Sequence, residues 1–188
     1  MLVPALFGVL KAIHEQEEDE DEDEDDTQGI VENALFALGA LCADTAYRGA
    51  MTALPQNADC PMDINGFMAM WLKNLPFKAD EIEAKTASRM FCDLMDANDA
   101  VLLGNRDNLP EILRVMAEVF KTDSEKTAQE AKAMQTCGIL SSMDTVCYAH
   151  SATVERMRSL LKRLAASPDG QIAFASISPE LQAVLKAQ

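Results

Sequence analysis

Apolar residues recur at intervals of three and four along most of this chain, and this periodicity restricts its fold more than any other feature. Residues spaced in this way share one side of an α-helix, which turns once in about 3.6 residues. No segment alternates apolar and polar residues as a half-buried strand does. We therefore predict an all-α fold. The clearest stripe is Ile64, Phe67, Met68, Trp71, Leu72 and Leu75.

Trp71 is expected to anchor the core between neighbouring helices, and the helix that contains it is expected to end before Pro76. Similar stripes predict helices along the rest of the chain, with a stop at the SPDG sequence of residues 167–170. The predicted helices begin near residues 2, 28, 62, 79, 108 and 124, and two more contain residues 154–164 and 179–185.

Polar residues mark the ends of several predicted helices. Asp80, Asn108 and Ser124 have the residue type and the position of N-caps. Residues 44–61 mix Asp, Gly, Pro and Asn and are predicted to form a connector. Residues 97–107 are predicted to form a second linker, with an apolar plug at its centre.

The predicted helices also fall into pairs. First members begin near residues 2, 62 and 108, and second members begin near 28, 79 and 124. Paired helices of the HEAT type recur at about 40–47 residues, close to the 46 residues from 62 to 108. We therefore expect a single domain over residues 1–188, a right-handed HEAT-repeat α-solenoid of antiparallel helical pairs. A plain helical bundle is the alternative.

An acidic segment, defined as Glu15–Asp26, contains 11 carboxylates in 12 residues. The net charge of the chain is −15, of which this segment supplies −11, so the other residues together carry only −4. Charge that is so localised and negative argues against direct binding to nucleic acid or to an anionic membrane. Its polarity and mutual repulsion predict an extended loop over residues 15–27, between the two helices of one pair.

Three interpretations of the acidic segment stay open. It is a solvated loop that aids solubility, a mimic of nucleic-acid phosphates, or a site for Lys/Arg-rich protein cargo that salt would weaken. The candidate cargo-binding residues are Glu17, Glu18, Asp19, Glu20, Asp21, Glu22, Asp23, Glu24, Asp25 and Asp26.

Signals for chemistry are absent from the sequence. The five cysteines form no CxxC pair and fit reduced thiols in core positions. His14 and His150 have no nearby Ser, Cys or Asp arrangement that would support a catalytic triad, so surface or cap roles are expected. We expect no enzymatic activity, cofactor or metal site. The opening residues lack the basic region and cleavage site of a signal peptide, and no stretch reaches the ~18 apolar residues of a membrane span.

Several stretches resemble a known family when they are taken in order. They are WLKNLP with an acidic helix start after it, CDLMDAND followed by VLLG, NLPEIL, ENALFALGAL at 32–41 and ISPELQAVLKA at 177–187. Their order and spacing resemble the C-terminal HEAT repeats of the importin-β (karyopherin-β) superfamily, nearest the importin five branch. The resemblance covers most of residues 2–120 and 152–187. Residues 121–151 are longer than the family pattern, and the acidic segment occupies a loop expected to be shorter.

The resemblance implies a nuclear transport receptor that shuttles between cytoplasm and nucleus and wraps basic protein cargo, including nuclear localisation signals, on its inner surface. It also implies contacts with nucleoporins. Binding of the small GTPase Ran is implied only through N-terminal repeats absent from this chain, which would be the terminal portion of a longer importin. Two other classes stay open: a helical-repeat scaffold or regulatory protein, and an acidic histone-chaperone-like binder.

Overall fold

The structure is a computed structural model that describes Gly8 and residues 24–53, 62–137 and 148–188. Within these ranges every regular element is helical and no strand is present, which confirms the all-α prediction. The helices are α1 (Glu24–Ala43), α2 (Thr45–Thr52), α3 (Ile64–Asn74), α4 (Glu81–Asp96), α5 (Ala100–Leu103), α6 (Leu109–Cys137), α7 (Ser151–Ala165), α8 (Pro168–Ser176) and α9 (Pro179–Lys186), with a 3₁₀ turn at Gly104–Arg106.

Helix α3 matches its sequence prediction at both ends. Asp63 is its N-cap, and the side chain of Asp63 accepts a hydrogen bond from the backbone N–H of Gly66 at 2.8 Å. Leu75 has extended backbone angles, so the helix ends before Pro76 as expected. All six residues of the predicted apolar stripe are buried.

Helices α1 and α4 also bury the predicted stripes, although Val31 and Leu41 of α1 and Met90 of α4 are only half-buried. Asp80 caps α4, because its Oδ1 atom accepts hydrogen bonds from the N–H groups of Ile82 at 2.7 Å and Glu83 at 2.9 Å. The cap predicted from the sequence is therefore confirmed.

Helix α2 corrects the prediction that residues 44–61 form only a connector. Asp44 caps this helix, with its carboxylate accepting from the N–H of Ala46 at 2.7 Å. Arg48 then fixes the helix by donating to the carbonyl of Cys42 at 2.9 Å and to the carboxylate of Asp99 at 2.5 Å. These two contacts, of which the one with Asp99 joins residues 51 positions apart, stabilise eight residues whose composition alone indicates a loop.

Helix α6 corrects the prediction that Ser124 caps a separate helix. The helix runs without interruption for 29 residues. The hydroxyls of Thr122 and Thr127 donate to the carbonyls of Glu118 and Asp123, one turn earlier, so these polar side chains are satisfied inside the helix. Neither Gly nor Pro occurs after Pro110 in α6, and nothing in its sequence forces a break.

Polar residues stand at the ends of α6, α7 and α9, and a short apolar helix lies in the predicted linker. The backbone carbonyl of Asn108 accepts from the N–H of Ile112 at 2.9 Å, as expected of the residue before α6. The predicted plug of the 97–107 linker is confirmed, since Leu102 of α5 is fully buried. Helix α9 begins at the predicted position near residue 179, and Ser178 is its N-cap. Helix α8 was not predicted: the SPDG sequence ends α7, and its Ser167 also caps a new helix.

The helices pack around one continuous apolar core. Helix α1 contacts α3 and α4, α4 contacts α7, and α3 contacts α6. Helix α6 also contacts α7, α8 and α9, so the longest helix joins the C-terminal elements to the rest. Two cysteines, Cys42 and Cys92, lie in this core as free thiols, as expected.

Trp71 is fully buried, which confirms its predicted role as a core anchor. It packs against Gly39 of α1, where a Cβ atom would lie only 2.4 Å from the indole nitrogen of Trp71. Helices α1 and α3 can therefore approach at this point only because residue 39 has no side chain.

We predict that Gly39→Ala destabilises the protein by about 1–3 kcal/mol, because the added methyl group displaces the buried indole of Trp71. Urea unfolding monitored by the fluorescence of this single tryptophan measures the effect. Gly49→Ala is the matched control, since a Cβ atom at Gly49 meets nothing within 4 Å. This control should be stabilising by about 0.5–1 kcal/mol, and equal effects of the two substitutions would contradict the prediction.

Candidate binding surface at the acidic segment

The acidic segment lies only partly in the described residues. Glu24, Asp25 and Asp26 form the first turn of α1, whereas residues 17–23 lie outside the described ranges. The helix therefore begins about four residues before its predicted start near residue 28 and includes the end of the predicted loop over residues 15–27. Carboxylates are favoured in the first turn of a helix by the positive end of its dipole, which explains the earlier start.

Glu32, two turns into α1, fixes the end of the acidic segment to the rest of the protein. Glu32 is buried, with only 2% of its surface exposed. The carboxylate accepts from the backbone N–H of Lys78 at 2.9 and 3.0 Å, and from that of Ala79 at 2.8 Å. The amide of Gln28 donates to it at 2.6 Å. These donors compensate the burial of the carboxylate and hold α1 against the connection between α3 and α4.

The other end of that connection is held by Arg114 of α6. Its Nη2 atom donates to the carbonyls of Leu72, Lys73 and Leu75, at 3.0, 3.1 and 2.7 Å. A cation at the C-terminus of α3 satisfies carbonyls that have no partner within the helix. Glu111 and Glu118 flank the guanidinium at 2.5 Å and raise the pKa of Arg114, against the opposing effect of its burial.

Phe77 lies in the connection held by Glu32 and Arg114, and it is fully buried. Its ring meets Phe36 of α1 edge to face, with 6.4 Å between the ring centroids. This geometry is favourable for aromatic pairs. The connection between α3 and α4 is thus held by one acid, one base and one aromatic contact.

Negative charge continues from α1 onto the start of α4. A Cβ atom at Gly29 would lie 3.8 Å from that of Ala79, directly before the N-cap Asp80. The pKa of Glu83 is raised by its partial burial and by the neighbouring carboxylates of Asp80 and Glu32. Burial is the main cause of this shift, and the contribution of Asp80 and Glu32 shows that three carboxylates lie close enough to repel each other, which is a local excess of negative charge.

Basic side chains limit this excess at one side of the surface. Lys85 contacts Glu81 at 2.5 Å, and the hydrogen bond from Lys85 is the main cause of the lowered pKa of Glu81. Lys126 of α6 and His150, which is exposed at the N-cap position of α7, contribute in the same direction. The position of His150 agrees with the surface or cap role predicted from the sequence.

The roles of Glu32 and Arg114 were not predicted. A weak signal for Glu32 was present, because its charge falls within an apolar stripe that contains Val31 and Leu35. A charged residue at such a position requires buried partners. The sequence does not indicate that those partners are backbone groups 46 and 47 residues away.

The described thiols are poorly suited to chemistry. Burial raises the pKa of Cys42 to about 11 and that of Cys92 to about 12, so both remain protonated at neutral pH. The described side chains include no group of three or more His, Cys, Asp and Glu that could hold a metal ion.

Comparison with known proteins does not assign a family: no protein-family model and no solved structure matches this chain. The resemblance to the importin-β superfamily therefore stays a prediction. Within the described ranges no single helix is long and apolar enough to cross a membrane, and α1 with α2 meets the criteria only as a pair bent by 99°.

We predict that Glu32→Gln destabilises the protein by about 1–3 kcal/mol, because a neutral amide offers one acceptor oxygen where the carboxylate offers two. Thermal and urea unfolding measure the loss. Glu125→Gln is the control, since Glu125 is exposed on α6, and it should change stability by less than about 0.5 kcal/mol. A loss of stability no larger than that of the control would show that the hydrogen bonds of Glu32 contribute nothing to stability.

A second prediction concerns pH. The pKa of Glu83 is raised in the folded protein, so its ionisation opposes folding as the pH rises from the unfolded pKa, about 4.3, through the folded value. Glu83→Gln should therefore raise the melting temperature at pH 7, and the gain should disappear below about pH 4. Melting curves of both proteins from pH 3.5 to 7.5 test this ~4-unit range. A gain that does not depend on pH would contradict the electrostatic cause.

Proposed function

We propose that this chain is part of a nuclear transport receptor of the importin-β type, which binds Lys/Arg-rich protein cargo and shuttles between cytoplasm and nucleus. The observation that carries the proposal is the acidic segment, with its 11 carboxylates in 12 residues. Its C-terminal end continues into α1, which Glu32 fixes to the α3–α4 connection. No chemical step is involved, because the receptor holds its cargo by charge and contact area alone.

The helix packing supports a HEAT-like arrangement as part of the same proposal. Helix α1 contacts α4, α4 contacts α7, and α3 contacts α6, which are the neighbour contacts expected for two layers of a solenoid. Helix α9, packed against α6, would close the end as a capping helix. The uninterrupted α6 departs from the expected pairing near residue 124, so the repeats would be irregular beyond this point.

The energetics require cargo to engage many carboxylates at once. An exposed ion pair contributes about 0.2–1 kcal/mol, whereas micromolar affinity corresponds to about 8 kcal/mol. A peptide with one or two basic residues would therefore bind weakly, and a dense basic cluster would bind well. Such binding weakens with salt, because dissolved ions screen the attraction between opposite charges.

A helical scaffold that assembles other proteins is the second candidate. The uninterrupted α6 favours it, because a helix of 29 residues does not fit the short paired helices of a regular repeat array. A scaffold of this kind would bind a folded partner through its helical surface and would not depend on the acidic segment.

We predict that a labelled Lys/Arg-rich localisation peptide binds this protein at low salt and that binding weakens at near-physiological salt. Fluorescence anisotropy measures the affinity. The test variant replaces residues 17–23 with a Gly/Ser linker and retains Glu24–Asp26, so that the first turn of α1 is preserved. We expect this variant to lose at least about tenfold in affinity, since it lacks seven carboxylates.

A control variant carries Asp107→Asn, Glu155→Gln and Glu180→Gln, three exposed acids on other elements. It should bind the peptide nearly as well as the unchanged protein, which separates a local site from a general effect of net charge. Equal binding by the linker variant would exclude the acidic segment as the cargo site. Absence of binding by every form would contradict the transport proposal and favour the scaffold.

A further inference from the structure

Helix α1 carries a second apolar stripe that takes no part in the core. Ile30, Ala34 and Ala37 lie four and three residues apart, so they share one side of the helix. None of the three belongs to the continuous core, to which the same helix contributes Leu35 and Leu38. We call Ile30, Ala34 and Ala37 the outer stripe of α1.

The exposure of these residues shows that part of the outer stripe is covered. Ile30 is 53% exposed, whereas Ala34 is only 5% exposed. Every other buried apolar residue in the described ranges belongs to the continuous core, and Ala34 alone does not. The middle of the outer stripe is therefore covered by something other than the buried residues of the core.

The N-terminal segment, defined as residues 2–13, has the pattern of such a cover. Its apolar side chains recur at intervals of three and four, at Val3, Leu6, Leu10 and Ile13. Gly8, the one residue of this segment that the structure describes, is helical and exposed, and a Cβ atom there would meet nothing within 4 Å. At about 100° per residue, Gly8 lies on the side opposite the apolar stripe. Its exposure is therefore the result expected if the apolar stripe faces the protein.

The chain between the N-terminal segment and α1 is long enough for this contact. Residues 14–23 separate the two, and ten extended residues span up to about 33 Å. Ala34 lies ten residues after Glu24, the first residue of α1, which is about 15 Å along the helix axis. The N-terminal segment can therefore reach the middle of the outer stripe without tension.

We propose that residues 2–13 form an amphipathic helix that packs along the outer stripe of α1, with its apolar side chains against Ala34 and Ala37. The small side chains of both alanines suit a close approach, with about 8–10 Å between the helix axes. The spacing of the predicted helix pairs assigns neither a side of α1 nor a contact residue to this helix, and the outer stripe supplies both. The acidic segment is then attached to α1 at both of its ends. This inference does not depend on the proposed transport function.

NMR of the full chain with labelled alanine and leucine methyl groups tests the contact directly. We expect nuclear Overhauser effects between the methyl group of Ala34 and those of Leu6 or Leu10. Leu10→Asp should abolish them and lower the melting temperature by at least about 3 °C, because a buried leucine is lost. Ala12→Asp is the matched control, since it adds the same charge two residues away, one turn from the exposed Gly8. This control should change neither the nuclear Overhauser effects nor the melting temperature.

A mixture of differently labelled chains separates contacts within one chain from contacts between two copies. The proposal is overturned if the methyl group of Ala34 contacts a second copy of the chain, which would assign the outer stripe to a dimer. It is also overturned if Ala34 shows no contact with residues 2–13, or if Leu10→Asp and Ala12→Asp lower the melting temperature equally. The spectra of the unchanged protein decide the matter even if Leu10→Asp does not fold.

Discussion

The hydrogen bonds of one buried carboxylate determine how the N-terminal helices meet. Glu32 receives the backbone N–H groups of Lys78 and Ala79, which lie in the connection that leads from α3 into α4. Removing a carboxylate from water is costly unless donors replace the lost solvent, so this geometry tolerates little displacement. These hydrogen bonds act together with the contact between Gly39 and Trp71 to set the position of α1 against α3 and α4. Arg114 plays the complementary part for the carbonyl groups at the end of α3.

The sequence predicted elements whose causes are local. The stripe that ends at Leu75, the stop before Pro76 and the cap at Asp80 depend on residues within a few positions of each other, and all three are confirmed. The two wrong predictions have other causes: one depends on a contact between residues far apart in the sequence, and the other on a residue that fits both a cap and a helix interior. Arg48 stabilises α2 through Asp99, 51 residues away, and Ser124 has the chemistry of a cap in a helix that has no reason to end. For the candidate site, the sequence shows the negative charge of the acidic segment. It does not show that Glu32 attaches α1 to the connection between α3 and α4.

The uninterrupted helix α6 has a mechanical consequence. Its 29 residues span about 44 Å, and a single helix of this length resists bending far more than two short helices joined by a loop. It contacts α3, which precedes it in the chain, and α8 and α9, which follow it. Because α7, α8 and α9 all pack on this helix, we expect these C-terminal helices to move with it as one body and not relative to each other.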